Sequence, residues 1–209
     1  MFGLHKEERS ILKKLKTPGK VQDFLVSIPL NFEPEGDTCL SPRRVLRENR
    51  AHCIEGALLA AAVFMLQGRK PLLLDLRSAA HDFDHVVALF KESDRWGAVS
   101  KTNHAVLRYR EPVYKTISEL ALSYFHEYFD DMGKKTLRDY SARPFDLTKY
   151  ISRGWMISEE NLWYIPEALD AAPHTDILLP GQARRLRRAD PIEIEVGKTT
   201  EWKKKGTSA

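Results

Sequence analysis

Two residues in this sequence are of types that can work together as nucleophile and base: Cys53 and His85. Cys53 opens the run Cys53-Ile54-Glu55-Gly56-Ala57-Leu58-Leu59-Ala60-Ala61-Ala62-Val63-Phe64-Met65-Leu66. Its apolar residues recur at helical spacing and spread almost all round, which predicts a helix buried in the middle of a domain. A thiol in the first turn of such a helix lies among unpaired backbone N–H groups at the positive end of the helix dipole. That setting favours the thiolate, the nucleophilic form. A free cysteine is also, more commonly, a small buried hydrophobe, so position alone decides nothing and a base must be at hand.

His85 heads His85-Val86-Val87-Ala88-Leu89-Phe90, which reads as a buried strand. Arg95 to Ser100 reads as its hairpin partner across the short link Lys91-Glu92-Ser93-Asp94. If Leu89 faces Trp96, then His85 faces Ser100, whose hydroxyl can orient the imidazole but brings no negative charge. Asn103, slightly further on, can take the part that an amide plays in Cys-His-Asn enzymes. The catalytic candidates are therefore Cys53, His85, Ser100 and Asn103. An oxyanion would need the Cys53 backbone N–H and a second donor, for which Asn49 and His52 are the candidates. His52 reads equally well as a polar residue at a helix start.

Other chemistries find less support. His81 and His85 stand at i, i+4, a zinc-binding spacing on a helix, but Val86, Val87 and Phe90 favour a strand, on which the two lie far apart. No finger-like second ligand pair, Gly-x-Ser-x-Gly elbow, P-loop or Gly-x-Gly-x-x-Gly occurs. No metal and no cofactor is expected.

The elements that must hold the pair follow from local signals. Ser10 to Lys16 and Val21 to Ser27 read as short helices, closed by Thr17-Pro18-Gly19 and Pro29. Ser41-Pro42 reads as N-cap and first helical residue of a helix to Glu48, with a break near Asn49 to Ala51 that gives Cys53 its own helix start. Pro71 to Arg77 reads as a strand. Thr116 to Asp130 reads as one amphipathic helix, capped by Thr116 with Glu119. Ile192-Glu193-Ile194-Glu195-Val196 alternates like an edge strand, and little order is expected from about Gly181 onward. Together these predict an α+β fold: a central helix carrying an N-terminal cysteine, packed on a small antiparallel sheet with added helices. Residues 1–40 form an N-terminal helical extension packing on the core, 41–150 the core with its following helix, and 151–209 a C-terminal extension with a partly disordered basic tail.

Three stretches carry a resemblance: Arg50-Ala51-His52-Cys53 leading into a small-residue helix, Asp84-His85-Val86-Val87, and Arg95-Trp96-Gly97-Ala98-Val99. Across about Ser41 to Asn103 the chain resembles the core of the transglutaminase-like superfamily, which is related to papain-like proteases and arylamine N-acetyltransferases. That group orders its triad Cys, His, Asp, with the Cys at the start of a central helix and the other two on adjacent strands. The resemblance implies Cys53 as nucleophile, His85 as base, and amide hydrolysis or acyl transfer through a Cys53 thioester. It departs at the acid, whose usual place, four residues after the tryptophan, is held here by Ser100. Changing the acid of a serine-enzyme triad to its amide costs on the order of 10⁴ in rate. The alternative is therefore a degenerate domain that acts as an interaction module, with the helix of Tyr124 and Tyr128 and the C-terminal half as its partner surface.

Composition bounds the rest. With 43% hydrophobic and 30% charged residues, the 209-residue chain is ordinary for a soluble protein with one real core. The longest apolar run, Gly56 to Leu66, is far short of the ~20 residues of a membrane span, and the first residues hold no apolar signal segment. Two cysteines make no disulfide framework, and the cytoplasm is the expected compartment. The net charge of +4 lies largely in Arg184, Arg185, Arg187, Arg188 and Lys203 to Lys205. No zinc finger, RRM or KH pattern accompanies it, so a peptide, protein or small amide or acyl substrate is a better expectation than nucleic acid.

Overall fold

The computed structural model describes residues 2–203. Helices α1 (Lys6–Lys14) and α2 (Pro18–Ser27) come first. Thr17 caps α2 by accepting from the Lys20 N–H, and Pro18 takes the first turn, where its missing N–H costs nothing. Helix α3 (Pro42–Glu48) repeats the device with Ser41 and Pro42, and ends at Asn49 in the left-handed region, with φ 51°. The expected break is thus present, and α4 (Cys53–Leu66) starts afresh from His52. Every residue of α4 from Ile54 to Phe64 is buried, Glu55 included.

The strands are β1 (Leu72–Ser78), β2 (His85–Glu92), β3 (Arg95–Val99) and β4 (Arg110–Tyr114). After helix α5 (Ile117–Leu122) come β5 (Leu137–Ser141), β6 (Phe145–Asp146), helix α6 (Tyr164–Asp170), β7 (His174–Asp176) and helix α7 (Pro191–Lys198). The fold is α+β with an open antiparallel sheet ordered β4-β3-β2-β1-β5-β7, with β6 also paired to β1. At seven strands the sheet is larger than the small one expected from sequence.

Side chains alternate along these strands, and the alternation divides the core. Leu73, Val86, Ala88, Phe90 and Val99 face α4 together with Leu12, Val21 and Leu25 of the N-terminal helices and Trp155, Ile165 and Leu169 from the C-terminal part. Leu74, Leu76, Val87, Leu89 and Ala98 face the other way, onto Leu120, Ala121, Tyr124 and Tyr128. Segments from both ends of the chain therefore share a core with α4.

Four expectations need correction. The β2–β3 register pairs Leu89 with Ala98, not with Trp96. Ser93 and Asp94 alone form the turn, both at positive φ (46° and 62°), the tight two-residue hairpin that suits strand twist. The helix expected over Thr116 to Asp130 stops at Leu122, and a short 3-10 turn, Phe125–Glu127, follows. Ser123 bends the chain there: its Oγ donates back to Leu120 O, while Arg110 Nη2 donates to its carbonyl. Residues 192–196 are helical, not an edge strand, because Asp190, Pro191 and Glu193 make a capping box with proline in the first turn. The chain beyond Gly181 is also ordered through Lys203, while Lys204 and Lys205 of the expected basic tail lie outside the described residues.

Candidate functional site

Cys53 stands at the first position of α4, where its backbone N–H has no partner within the helix. Glu55 fixes this helix start. Its carboxylate is fully buried and accepts from Asn31 Nδ2 (3.0 Å), Thr38 Oγ1 (2.7 Å), Leu40 N (2.9 Å) and His52 N (2.9 Å). One side chain thereby ties the loop 31–40 to the end of the helix that carries the thiol. Sequence reasoning missed Glu55 because a carboxylate among alanines and leucines reads as a solvent-facing residue. The available signal was that the helix has no polar face for it to join.

One turn further on, Gly56 lets the chain after β3 come close. A Cβ there would collide with Cβ of Lys101. Lys101 is itself buried, and its Nζ donates to the carbonyls of Leu25 (2.8 Å) and Ile28 (2.6 Å) at the end of α2. Burial lowers its pKa to about 8.

His85, the first residue of β2, is buried. Its Nε2 lies 2.8 Å from Ser100 Oγ, which donates its own proton to Leu107 O at 2.5 Å. The hydroxyl must therefore accept from His85, which places a ring proton on Nε2. Ser100 reaches the ring although it is not the cross-strand partner, because the ladder ends at the Ala88–Val99 pair and the chain then turns inward. Gln22 of α2 holds that turn: it accepts from Ser100 N at 2.9 Å and donates to Ser100 O at 2.8 Å.

Of the other candidates, Asn103 does not orient His85. Its side-chain amide clasps the backbone of Trp202, donating to its carbonyl and accepting from its N–H, each at 2.9 Å. Asn49 serves as the left-handed cap of α3 and does not line the cavity, whereas His52 does. Tyr124 and Tyr128 are buried, and Tyr128 lines the cavity. His81 lies on Asp130 (3.3 Å), and among the described residues no group of three His, Cys, Asp or Glu side chains could hold a metal.

Cys53 and His85 share a cavity of about 570 Å³. His52, Lys101, Leu107 and Tyr128 line its depth, while Asp82, Asp84, Asp130 and Asp131 stand around it with the exposed ring of Phe83. The C-terminal part supplies a wall through Ile194, Gly197 and Lys198. That wall is tied down by Ala105 N donating to Thr199 O (3.0 Å), Glu201 N to Asn103 O (2.9 Å) and Arg108 to Glu201 (3.1 Å).

The electrostatics favour a charged sulfur. Burial by itself would raise the Cys53 pKa, but hydrogen bonds and charge from His52 and His85 overcome it and hold the thiol well below its ordinary value. Burial would likewise lower His52, yet its hydrogen bond to Cys53, the charges of Cys53 and Glu55, and its contact with Thr38 O push it up to about 9. Cys39, the other free cysteine, is completely buried, and burial together with the charge of Glu55 pushes it up to about 12. Among the described residues no helix is long and apolar enough to cross a membrane. No family model matches the sequence, and no curated protein matches it.

Proposed function

We propose that the protein is a cysteine-dependent amide hydrolase or acyl transferase with a transglutaminase-like arrangement of nucleophile and base. One observation carries this reading: the Cys53 thiol at a helix start, held below its ordinary pKa by imidazoles inside a cavity of substrate size. The order Cys then His, and the placement of the Cys on a helix packed against the strand of the His, support the likeness to that superfamily. Ser100 stands where the superfamily's acid would be and does the positioning part of its work.

In the reaction the thiolate attacks an acyl carbonyl, the C–S bond forms, and the C–N or C–O bond breaks as the leaving group takes the proton that His85 received from the thiol. Water or an amine then gives a proton to His85 and attacks the thioester; the C–S bond breaks and the thiolate returns. Which of the two wins depends on what the cavity admits. The carboxylates around it favour a cationic amine over an anion.

The test is alkylation of Cys53 by iodoacetamide as a function of pH, with Cys39 read in the same digest. Reaction well below the free-cysteine pKa of about 8.5, followed by capture of a Cys53 acyl adduct from an activated ester, is expected. An inert Cys53 would overturn the enzyme reading. The second reading, a binding domain that has lost catalysis, draws on the neutral Ser100 in the acid's place, and it predicts alkylation without any acyl turnover.

A further inference from the structure

The Ser100 hydroxyl has one proton, and where that proton goes decides where the proton of a neutral His85 ring goes. With the hydroxyl proton on Leu107 O (2.5 Å), Ser100 Oγ can only accept from His85 Nε2 (2.8 Å), and Nδ1 of the neutral ring keeps the lone pair. Were Leu107 O turned away, the hydroxyl could donate to Nε2 instead, and the ring proton would move to Nδ1. The tautomer of His85 therefore depends on two things outside the ring: the place of the Ser100 backbone and the direction of the Leu107 carbonyl.

Each is held by one side chain from a different part of the chain. Gln22 of α2 grips both backbone groups of Ser100, accepting from its N–H at 2.9 Å and donating to its carbonyl at 2.8 Å. Leu107 stands at φ 59°, in the left-handed region that a residue as bulky as leucine rarely adopts. Such a backbone persists only where its surroundings over-determine it. Glu127, in the 3-10 turn after α5, supplies that hold: it accepts from Leu107 N at 2.9 Å and is itself anchored by Arg110 Nη2 at 2.8 Å. Glu127 lines the cavity, whereas Gln22 stands outside its lining and cannot act by touching a substrate there.

We propose that Gln22 and Glu127 are positioning residues that act through Ser100 and Leu107 to fix the proton of neutral His85 on Nε2, leaving Nδ1 as the nitrogen that takes a proton in the reaction. A helix of the N-terminal extension thereby becomes a working part of the site. The carboxylate absent from position 100 is replaced by one that acts a step away, on the residue whose carbonyl receives the Ser100 proton. The effect on turnover rests on the thiol-enzyme reading, but the place of the proton can be read without any turnover.

The experiment reads the ring nitrogens of His85 by NMR of histidine-labelled protein, at a pH where the ring is neutral. Wild type, Gln22→Ala, Glu127→Ala and Glu127→Gln are compared, with the His85 signals identified by their loss in His85→Asn. Expected is the Nε2–H form alone in wild type and a mixture with Nδ1–H in both alanine variants. Glu127→Gln should keep the wild-type form, because its amide oxygen can still accept from Leu107 N. With an activated ester, Gln22→Ala should lose about tenfold in kcat at unchanged KM. Adding Gln22→Ala to Ser100→Ala should cost nothing further, since the glutamine acts through the serine.

An Nδ1–H ring in wild type would overturn the proposal, and that reading needs no variant to fold. An unchanged ring in either alanine variant, or losses that multiply in the double variant, would overturn the role of the residue concerned and leave the enzyme reading standing. An inert wild-type Cys53 would overturn the enzyme reading, while the His85 signals still decide what Gln22 and Glu127 do.

Discussion

Cys39 and Cys53 are the same residue type, both border Glu55's surroundings, and they end with opposite chemistry. Cys39 lies in a loop with no exposed surface, and burial with the Glu55 charge raises its pKa to about 12. Cys53 opens a helix, touches a cavity and has an imidazole on either hand, and its thiol is held low. Glu55 acts near both: its charge discourages the Cys39 thiolate directly, and it raises the pKa of His52 beside Cys53. Burial pushes both thiols up; what separates them is that imidazoles overcome it at Cys53, while the Glu55 charge adds to it at Cys39.

The contrast can be broken at its strong end. Cys53→Ala should remove acyl turnover altogether, a loss on the order of 10⁴ or more, with an unchanged circular dichroism spectrum. Turnover that persists in this variant would place the chemistry elsewhere. Gly56→Ala pushes a methyl into Lys101 and should cost about 1–3 kcal/mol in denaturant unfolding, while slowing alkylation through displacement of the helix start. Ser100→Ala removes the acceptor of the His85 proton. Turnover should drop about tenfold while low-pH alkylation of Cys53 stays unchanged, separating orientation of the base from ionisation of the thiol.

Cys39→Ala should leave alkylation and turnover as they are and lower stability by about 1 kcal/mol, from a small buried volume. In native wild type, Cys39 should resist iodoacetamide up to pH 10 and react only when the protein is unfolded. A last, subtler effect concerns pH. The folded pKa of His52, about 9, lies above its unfolded value of about 6.5, so its contribution is fully present below pH 6.5 and is lost as pH rises through 9. The stability advantage of wild type over His52→Asn should therefore shrink as pH rises from about 6.5 to about 9 in paired unfolding curves.

The parts of this design that were legible in the sequence are those where one local signal sufficed. An all-round apolar helix, a proline after a serine, and two strand-like runs across a short link each had one sensible reading, and α4, α3, β2 and β3 follow them. Cys53, His85 and Ser100 were reachable from there. The rest depended on partners far along the chain. β4 contains Pro112 and β5 contains Arg138 and Asp139, so neither looks like a strand until its neighbour supplies the pairing. The aromatic stripe from Ile117 to Phe129 kept helical spacing even where the backbone leaves the helix, because Tyr124 and Tyr128 still reach the sheet. Asp190-Pro191-Ile192-Glu193 was a readable helix start, and the alternation of the next residues masked it. The Asn103 amide looked catalytic only because Trp202, which occupies it, is remote in sequence.

That clasp has a consequence in time. A chain leaves the ribosome from its N-terminus, so the thiol, the two imidazoles and Ser100 are all made well before Ile194, Gly197 and Trp202. The nascent protein can assemble its sulfur and its bases while one side of their chamber is still missing. Cys53 would then stand more open to oxidants and electrophiles until residues 194–202 are in place.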